Sequence, residues 1–281
     1  MTDLTVRKLL IDLDAPFPAR WNGGDAFRSA FFSALSMSFP LGEQYFIDSV
    51  RAGVKALPEA QQAQFKAEVQ GFIGQEATHR RIHSLFNGHL ERLGFRNTLE
   101  PRAARRMRAN AHRNVRMHVA ATAATEHLTA LFADWMLSHP QALAGCEPRL
   151  QTLWLWHSAE ESEHRSTAYD LYQALGGNHA WRVRVFRYIT ATFLMDVTRQ
   201  TLRNLWHDRA LLRWSTWKSA WTLLLAPNGM LRANYRAWRH YEKPDFHPRQ
   251  QDDSSARRWL QDNRHQWSAV GQAAPASQAL G

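Results

Sequence analysis

Long segments with helical periodicity dominate the sequence and restrict the chain to an α-helical architecture. Apolar residues recur every three or four positions, which places them on one face of an α-helix. Helix breakers divide this pattern into four predicted helices, over 25–54, 58–93, 101–137 and from the sequence GCEP to Leu175. Because short connections join these helices, we predict an all-α four-helix bundle with antiparallel neighbours.

The chain changes character on either side of the predicted bundle. Residues 180–240 are rich in Trp and Arg and predict additional C-terminal helices packed on the bundle, whereas the tail is polar except for a short helix near 256–262. The predicted organisation is an N-terminal arm (1–24), the helical bundle (25–178), a Trp/Arg-rich helical extension (179–243) and a polar, partly disordered tail (244–281).

Composition sets the expected compartment and limits the partners. With 281 residues, 44% of them hydrophobic, the chain can bury a sizeable core. Its one cysteine, Cys146, cannot form an internal disulfide. We find neither a signal peptide nor an apolar run of about 18 residues that would span a membrane. A cytoplasmic protein is therefore expected.

A net charge of +10 raises the question of an acidic partner. The arginines are scattered and show no zinc-finger spacing or other nucleic-acid signature, so we expect a solvated basic surface and no nucleic acid. Amphipathic Trp/Arg-rich helices in 180–240 also suit an anionic membrane surface, which would make the protein peripheral at the inner membrane. Packing on the bundle or a homodimer interface explains the same tryptophans and is the preferred hypothesis.

Two Glu-x-x-His units lie on two different predicted helices. The first is Glu76 with His79, and the second is Glu161 with His164. A three-residue spacing on a helix directs a carboxylate and an imidazole from one face towards the same point. Two such units alone are close to what chance produces, so their placement relative to other acidic residues matters more.

The other two helices of the predicted bundle each carry one glutamate in an apolar or small-residue setting. These are Glu43 in SFPLGEQYFI and Glu126 in AATAATEHLTALF. A bare carboxylate in such a face is costly unless it is paired or bound to a metal. One glutamate from each of two helices and Glu-x-x-His from each of the others is the ligand set of ferritin-like di-iron and di-manganese proteins. We therefore predict a ferritin-like bundle with two metal ions.

Neighbouring residues extend the predicted site. His157 lies one turn before Glu161, as a seventh ligand or a hydrogen-bond partner of the ligands, and His83 is expected to support the site or fill the core. Glu160 and Glu163 point either to solvent or to the ligands' outer side. Small residues around Glu126 leave room for a substrate cavity, opposite an apolar wall that we assign to Phe39, Phe46, Phe72 and Ile73.

The segments FPLGEQYF, QEATHRRIH, TEHLTA and WHSAEESEH, between about Phe39 and Tyr172, resemble a bacterial family described as predicted metal-dependent hydrolases. The ligand frame also resembles ferritin-like di-iron N-oxygenases, which convert aryl amines to nitro compounds. Those enzymes use an extra histidine four residues before the last glutamate, and this resemblance implies that His157 is a metal ligand. Similarity to the N-oxygenases is confined to the ligand frame, so their substrate class is not carried over.

Three functions fit the predicted site. The leading hypothesis is an O2-activating oxidase or oxygenase with two iron ions, a small organic substrate and an electron donor that the sequence does not identify. Fe/Mn and Mn/Mn centres are the alternative metal contents. A two-metal-dependent hydrolase is the second hypothesis, and a non-catalytic iron-binding or ferroxidase protein is the third.

Overall fold

The computed structural model describes residues 4–270, and in this range the all-α prediction is confirmed. Helices account for nearly all of the regular structure, and the only strands described are two short ones. In chain order the elements are β1 (Arg7–Leu9), α1 (Ala26–Ser36), α2 (Phe39–Lys55), α3 (Glu59–Arg92), α4 (Leu99–Asn110), α5 (Val115–Ser138), α6 (Pro148–His164), α7 (Thr167–Ala174), α8 (His179–His207), α9 (Trp214–Leu224), α10 (Met230–His240), α11 (Ser254–Asp262) and β2 (Trp267–Ala269).

Three of the four predicted long helices are each broken into two. Only α3 runs uninterrupted over its predicted range. The first break follows α1, where the Ser38 hydroxyl donates a hydrogen bond to the carbonyl of Leu35, and Pro40 lies in the first turn of α2. The second break precedes α5, whose N-terminus is capped by the Asn114 side chain accepting from the Met117 amide. Local side-chain bonds of this kind compete with helix continuation and are not visible in apolar periodicity.

Four helices surround the region where the predicted ligands lie. Helix α2 packs along α3, α5 packs along α6, and α2 also packs against α5. Fully buried side chains such as Phe72 of α3 and Trp156 of α6 fill the space between them. The arrangement of these four helices is what positions the site, whereas the ferritin-like designation stays a prediction.

The Trp/Arg-rich region forms α8, α9 and α10. Helix α8 packs on α1 and α5, with Phe186 and Leu205 buried. The predicted packing of the extension on the rest of the molecule is therefore observed for its helices. It does not hold for several tryptophans, because Trp206 and Trp214 are 71% and 80% exposed. Within residues 4–270, none of the helices combines the length and the apolar character needed to cross a lipid bilayer.

The two ends of the described chain meet in an antiparallel ribbon. Arg7 of β1 lies opposite Ala269 of β2. The preceding residues lie directly on α3, where a Cβ on Gly71 would come within 2.6 Å of Leu4 and one on Gly74 within 2.3 Å of Val6. Glycine at these positions lets the N-terminal strand approach the helix, which places Arg7 beside the ligand-bearing helices.

The predicted division of the chain into four parts stays a prediction. Within the predicted tail, α11 and β2 are ordered elements, and α11 covers the short helix expected near 256–262. The end of that tail, residues 271–281, lies outside the described residues.

Candidate metal centre

The structure brings the seven predicted ligands together in the interior. Helix α2 provides one of them, α3 two, α5 one and α6 three, and all are at most 4% exposed. They are Glu43, Glu76, His79, Glu126, His157, Glu161 and His164. Their role as ligands stays a prediction, while their convergence is a property of the fold.

Four overlapping groups of three side chains in this cluster have the size of a metal-binding site, and two of them share Glu76. Glu43, Glu76 and His79 place one potential ligand atom each within 4.8 Å of one another, and so do Glu76, Glu161 and His164. Glu76 belongs to both groups. If each group held a metal ion, Glu76 would contribute a carboxylate oxygen to both.

Glu126 joins the second group through His164. The Nε2 atom of His164 lies 3.2 Å from Oε2 of Glu126 and 3.1 Å from Oε1 of Glu76. Nevertheless, Nε2 of His164 forms no aligned hydrogen bond with either carboxylate. His164 Nε2 and the two carboxylate oxygens are therefore close together without forming hydrogen bonds, as the ligand atoms around a metal ion are.

Buried oxygens without hydrogen-bond partners test whether the cluster fits a metal. Both carboxylate oxygens of Glu43, Glu76 and Glu126 are buried and lack a hydrogen-bond partner among the described residues. Burying an unpaired carboxylate is costly, and native proteins pair or ligate such groups. Carboxylate and imidazole donors without thiolates suit Fe²⁺, Mn²⁺ or Zn²⁺. The residues present therefore fit a centre of divalent metal ions.

The protein without metal would hold several of these carboxylates protonated. Burial raises the pKa of Glu43 well above its usual range, and the neighbouring Glu76 raises it further. Burial likewise raises the pKa of Glu126 to about 8, although His164 opposes the effect. Metal ions bind the deprotonated groups, so binding releases protons from these carboxyls.

The histidines of the cluster divide into two types by charge. Burial alone would lower the pKa of His79, but its hydrogen bond to Glu160 and the nearby carboxylate of Glu161 raise it to about 10. Burial and the nearby His79 lower the pKa of His157 to about 4. His157 is thus held as a neutral imidazole, the form that ligates metals.

In each Glu-x-x-His unit, the histidine nitrogen that points away from the glutamate cluster has a hydrogen-bond partner. His79 Nε2 lies 2.9 Å from Oε2 of Glu160, and His164 Nδ1 lies 2.9 Å from Oε1 of Gln75. These contacts leave His79 Nδ1 and His164 Nε2 facing the glutamate cluster. Such outer hydrogen bonds fix the tautomer and the ring orientation of ligating histidines.

Arg7 links the two outer partners. Its Nη1 lies 3.0 Å from Glu160 and 2.6 Å from Glu163, and Gln75 Nε2 also donates to Glu163 at 2.9 Å. The guanidinium lies 4.7 Å from the centre of the Trp267 ring on β2, a cation–π contact. The paired chain ends therefore hold the cation that neutralises the outer carboxylates.

His83 and His157 form a second chain of contacts at the α2 end of the cluster. His83 Nε2 lies 2.6 Å from His157 Nδ1, and His83 Nδ1 lies 2.9 Å from the Ser36 hydroxyl. His157 Nε2 lies 2.9 Å from Glu161. His83 also has a ligand atom within 4.8 Å of those of Glu43 and His157. It supports the cluster as expected and is also close enough to ligate.

A cavity of about 480 Å³ reaches the cluster from α4 and α8. Glu43 and Glu161 lie at its inner end, and its walls are mainly apolar. Of the predicted apolar wall, Phe39 and Phe46 line it. Phe72 and Ile73 are not among its lining residues, and the Phe72 ring lies 5.0 Å from that of His164. The small-residue face of α5 contributes Ala121 and Thr125.

The sequence pattern did not identify the outer partners. Helical spacing leaves Glu160 facing either solvent or the ligands' outer side, and the structure buries it against His79. Gln75 adjoins Glu76 in sequence, which is a weak local signal. Arg7 gave no signal, because its contact with Glu160 spans 153 positions of the chain.

A family described as "predicted metal-dependent hydrolase" matches residues 5–252. The matched range contains all seven predicted ligands and Arg7. No curated protein and no solved structure matches the chain.

Proposed function

The chain belongs to the predicted metal-dependent hydrolase family, and from this premise we propose that it is an enzyme with a two-metal carboxylate–imidazole centre acting on a small, largely apolar substrate. One observation carries the proposal. Seven glutamate and histidine side chains from four helices converge in the interior, and their carboxylate oxygens include six without hydrogen-bond partners among the described residues, on Glu43, Glu76 and Glu126.

Two overlapping ligand sets are proposed. Glu43, Glu76 and His79 would hold one ion. Glu76, Glu161 and His164 would hold the other, with Glu126 completing it. His157 would add a neutral nitrogen on the side of His79, whose ring centre is 4.2 Å away. Iron is the metal proposed first, with manganese as the alternative.

Hydrolysis is the first candidate reaction, because the family description supports it over oxidation. When bound, divalent ions polarise carbonyl or phosphoryl groups and lower the pKa of water. The cavity walls would bind the apolar part of the substrate next to Glu43 and Glu161. Thr125 and Thr129 also line it, and their hydroxyls donate to carbonyls of α5, so each hydroxyl oxygen can still accept a hydrogen bond.

Oxidation by O2 is the second candidate, and the donor set favours it. Two single glutamates and two Glu-x-x-His units on four helices form the ligand set of di-iron and di-manganese carboxylate proteins. When bound, iron supplies the electrons that O2 accepts, and an external donor must restore them. The apolar cavity and the Phe39 ring, 4.8 Å from that of His157, would limit the access of water.

Metal content tests the two-metal proposal directly. We expect about two ions per chain in the intact protein and at most one in Glu126→Ala, measured by mass spectrometry of the metal after gel filtration. Glu91→Ala is the matched control, because Glu91 lies at the exposed end of α3. Two metal ions per chain in Glu126→Ala would show that Glu126 is not a metal ligand.

A comparison of loaded forms separates the two reactions. Anaerobic protein loaded with Fe²⁺ is mixed with O2 while O2 consumption is recorded, and zinc- and manganese-loaded protein is assayed on p-nitrophenyl esters of increasing chain length. Ester turnover without O2 consumption would establish hydrolysis. O2 consumption that continues over many cycles with an added reductant such as ascorbate, without ester turnover, would establish redox chemistry. Repeated oxidation of excess Fe²⁺ by O2, without ester turnover and without a need for ascorbate, would indicate a ferroxidase.

A further inference from the structure

Helix α8 carries a row of exposed apolar side chains along one face. Trp181, Tyr188, Met195 and Leu202 recur every seven residues, and Trp206 follows one turn later. Residues seven apart on an α-helix differ in direction by only about 20°. The row therefore forms a stripe, about 38 Å long at 1.5 Å per residue, on a helix whose opposite side is buried.

Helix α9, which follows α8 in the chain, carries further exposed apolar side chains. Trp214, Trp217, Trp221 and Leu225 recur at three- and four-residue spacing, and Leu212 in the preceding connection is 92% exposed. Among the described residues, ten of the fifteen exposed large apolar side chains fall between Trp181 and Leu225. We call this set, on α8, α9 and their connection, the aromatic face. A concentration of this size marks an interaction site.

The charges around the aromatic face are almost all positive. Exposed cations interleave with the apolar residues, namely Arg199, Arg203, Arg209, Arg213 and Lys218. Between His179 and Tyr241 the sequence contains only two acidic residues, Asp196 and Asp208. Asp196 is buried against Arg102 and Arg106, and Asp208 pairs with Arg20. Neither acid neutralises the exposed cations.

This combination decides between the candidate occupants. A second copy of the chain on a twofold axis would place the same cationic surface against itself, which like-charge repulsion disfavours. An anionic lipid surface instead satisfies both features, because cations attract the headgroups while Trp and Leu insert at the interface. No helix of residues 4–270 is long and apolar enough to cross a bilayer, so the proposed contact places the aromatic face on the membrane surface.

We propose that the aromatic face docks the protein on an anionic membrane surface. The cavity that reaches the glutamate cluster opens beside this face, because Trp181, Arg184 and Tyr188 line it as well. Docking would present the cavity mouth to molecules dissolved in the lipid. The substrate would then be an apolar or amphipathic molecule that partitions into membranes. This assignment of the substrate class rests on the proposed function.

Vesicle co-sedimentation of the intact protein tests the docking. We expect binding to vesicles of phosphatidylcholine with about 30% phosphatidylglycerol at low salt, and at least about tenfold weaker binding to pure phosphatidylcholine or at about 0.5 M NaCl. Trp214→Ser/Trp221→Ser and Arg199→Gln/Arg203→Gln should each weaken binding about tenfold. Leu85→Ser is the matched control, since Leu85 is an exposed apolar residue of α3.

Two further measurements complete the test. Glu126→Ala should bind vesicles like the intact protein, so loss of the metal centre and loss of docking are distinguished. Sedimentation velocity reports the oligomeric state. The proposal is overturned if neither vesicle type is bound at low salt, if Leu85→Ser weakens binding as much as the tryptophan pair, or if a dimer forms that Trp214→Ser/Trp221→Ser dissociates.

Discussion

The metal centre and the aromatic face depart from the usual distribution of side chains in opposite ways. In the centre, ionisable groups such as Glu43 are buried without hydrogen-bond partners. On the aromatic face, large apolar groups such as Trp214 are in water. Each arrangement costs free energy in the isolated chain. Each arrangement becomes favourable when a partner from outside the chain covers it, and we propose a cation as the partner of the first region and a lipid surface as that of the second.

Removal of Arg7 should give the largest loss of stability. Glu160 is fully buried and takes its neutralising charge from Arg7. We expect Arg7→Ala to lower the free energy of unfolding by about 3 kcal/mol, because Glu160 and Glu163 lose their ion pairs with Arg7 and only His79 remains beside the buried Glu160. Urea denaturation of the metal-free protein measures it, with Lys8→Ala, an exposed neighbour on β1, as control. A loss equal to that of the control would mean that the interior does not depend on this cation.

Glu160→Gln should weaken metal binding while leaving the packing intact. Arg7 donates to the other oxygen of residue 160, so the glutamine oxygen should accept from Arg7 and the amide group should donate to His79 Nε2. The proton of His79 then moves to Nδ1, the nitrogen facing the cluster. We expect about 10- to 100-fold lower metal affinity. Glu91→Gln is the control, since Glu91 lies at the exposed end of α3. Metal titration and the ¹⁵N shifts of His79 provide the readouts, and an unchanged tautomer with unchanged affinity would contradict the prediction.

Replacing a predicted ligand should stabilise the metal-free protein. Glu43 is buried with neither oxygen bonded, so Glu43→Met should raise the free energy of unfolding in a chelator by about 1–3 kcal/mol. The same change at exposed Glu91 should stay within about 0.5 kcal/mol. Thermal denaturation with and without added metal measures both variants. If Glu43→Met destabilises the metal-free form, the carboxylate has a structural role and the comparison fails.

The smallest effect is expected on the aromatic face without lipid. Trp214 is 80% exposed, so Trp214→Ser should change the free energy of unfolding by no more than about 0.5 kcal/mol. Urea denaturation in vesicle-free buffer is the measurement. A loss above about 2 kcal/mol that grows with protein concentration would instead reveal packing against a second copy.

Helical periodicity and the order of the glutamates and histidines are sufficient to predict the all-α fold and a set of side chains that converge in the interior. The all-α fold follows from the spacing of the apolar residues. A three-residue spacing is enough to place both residues of each Glu-x-x-His unit, Glu76 with His79 and Glu161 with His164, on one helical face. The hydrolase family was also recognised from these motifs. The helix breaks after α1 and before α5 were missed, because single side-chain hydrogen bonds decide them.

The sequence by itself determined which residues of each helix face inward, since that depends on the local period of the helix. Only the tertiary structure decided which of these faces meet, and that outcome rests on contacts between distant parts of the chain. Arg7 reaches Glu160 and Glu163 because Gly71 and Gly74 admit the N-terminal strand onto α3 and because β2 pairs with it. The exposure of the α9 tryptophans is equally non-local. Periodicity identifies an apolar face, but only packing shows whether another element covers it.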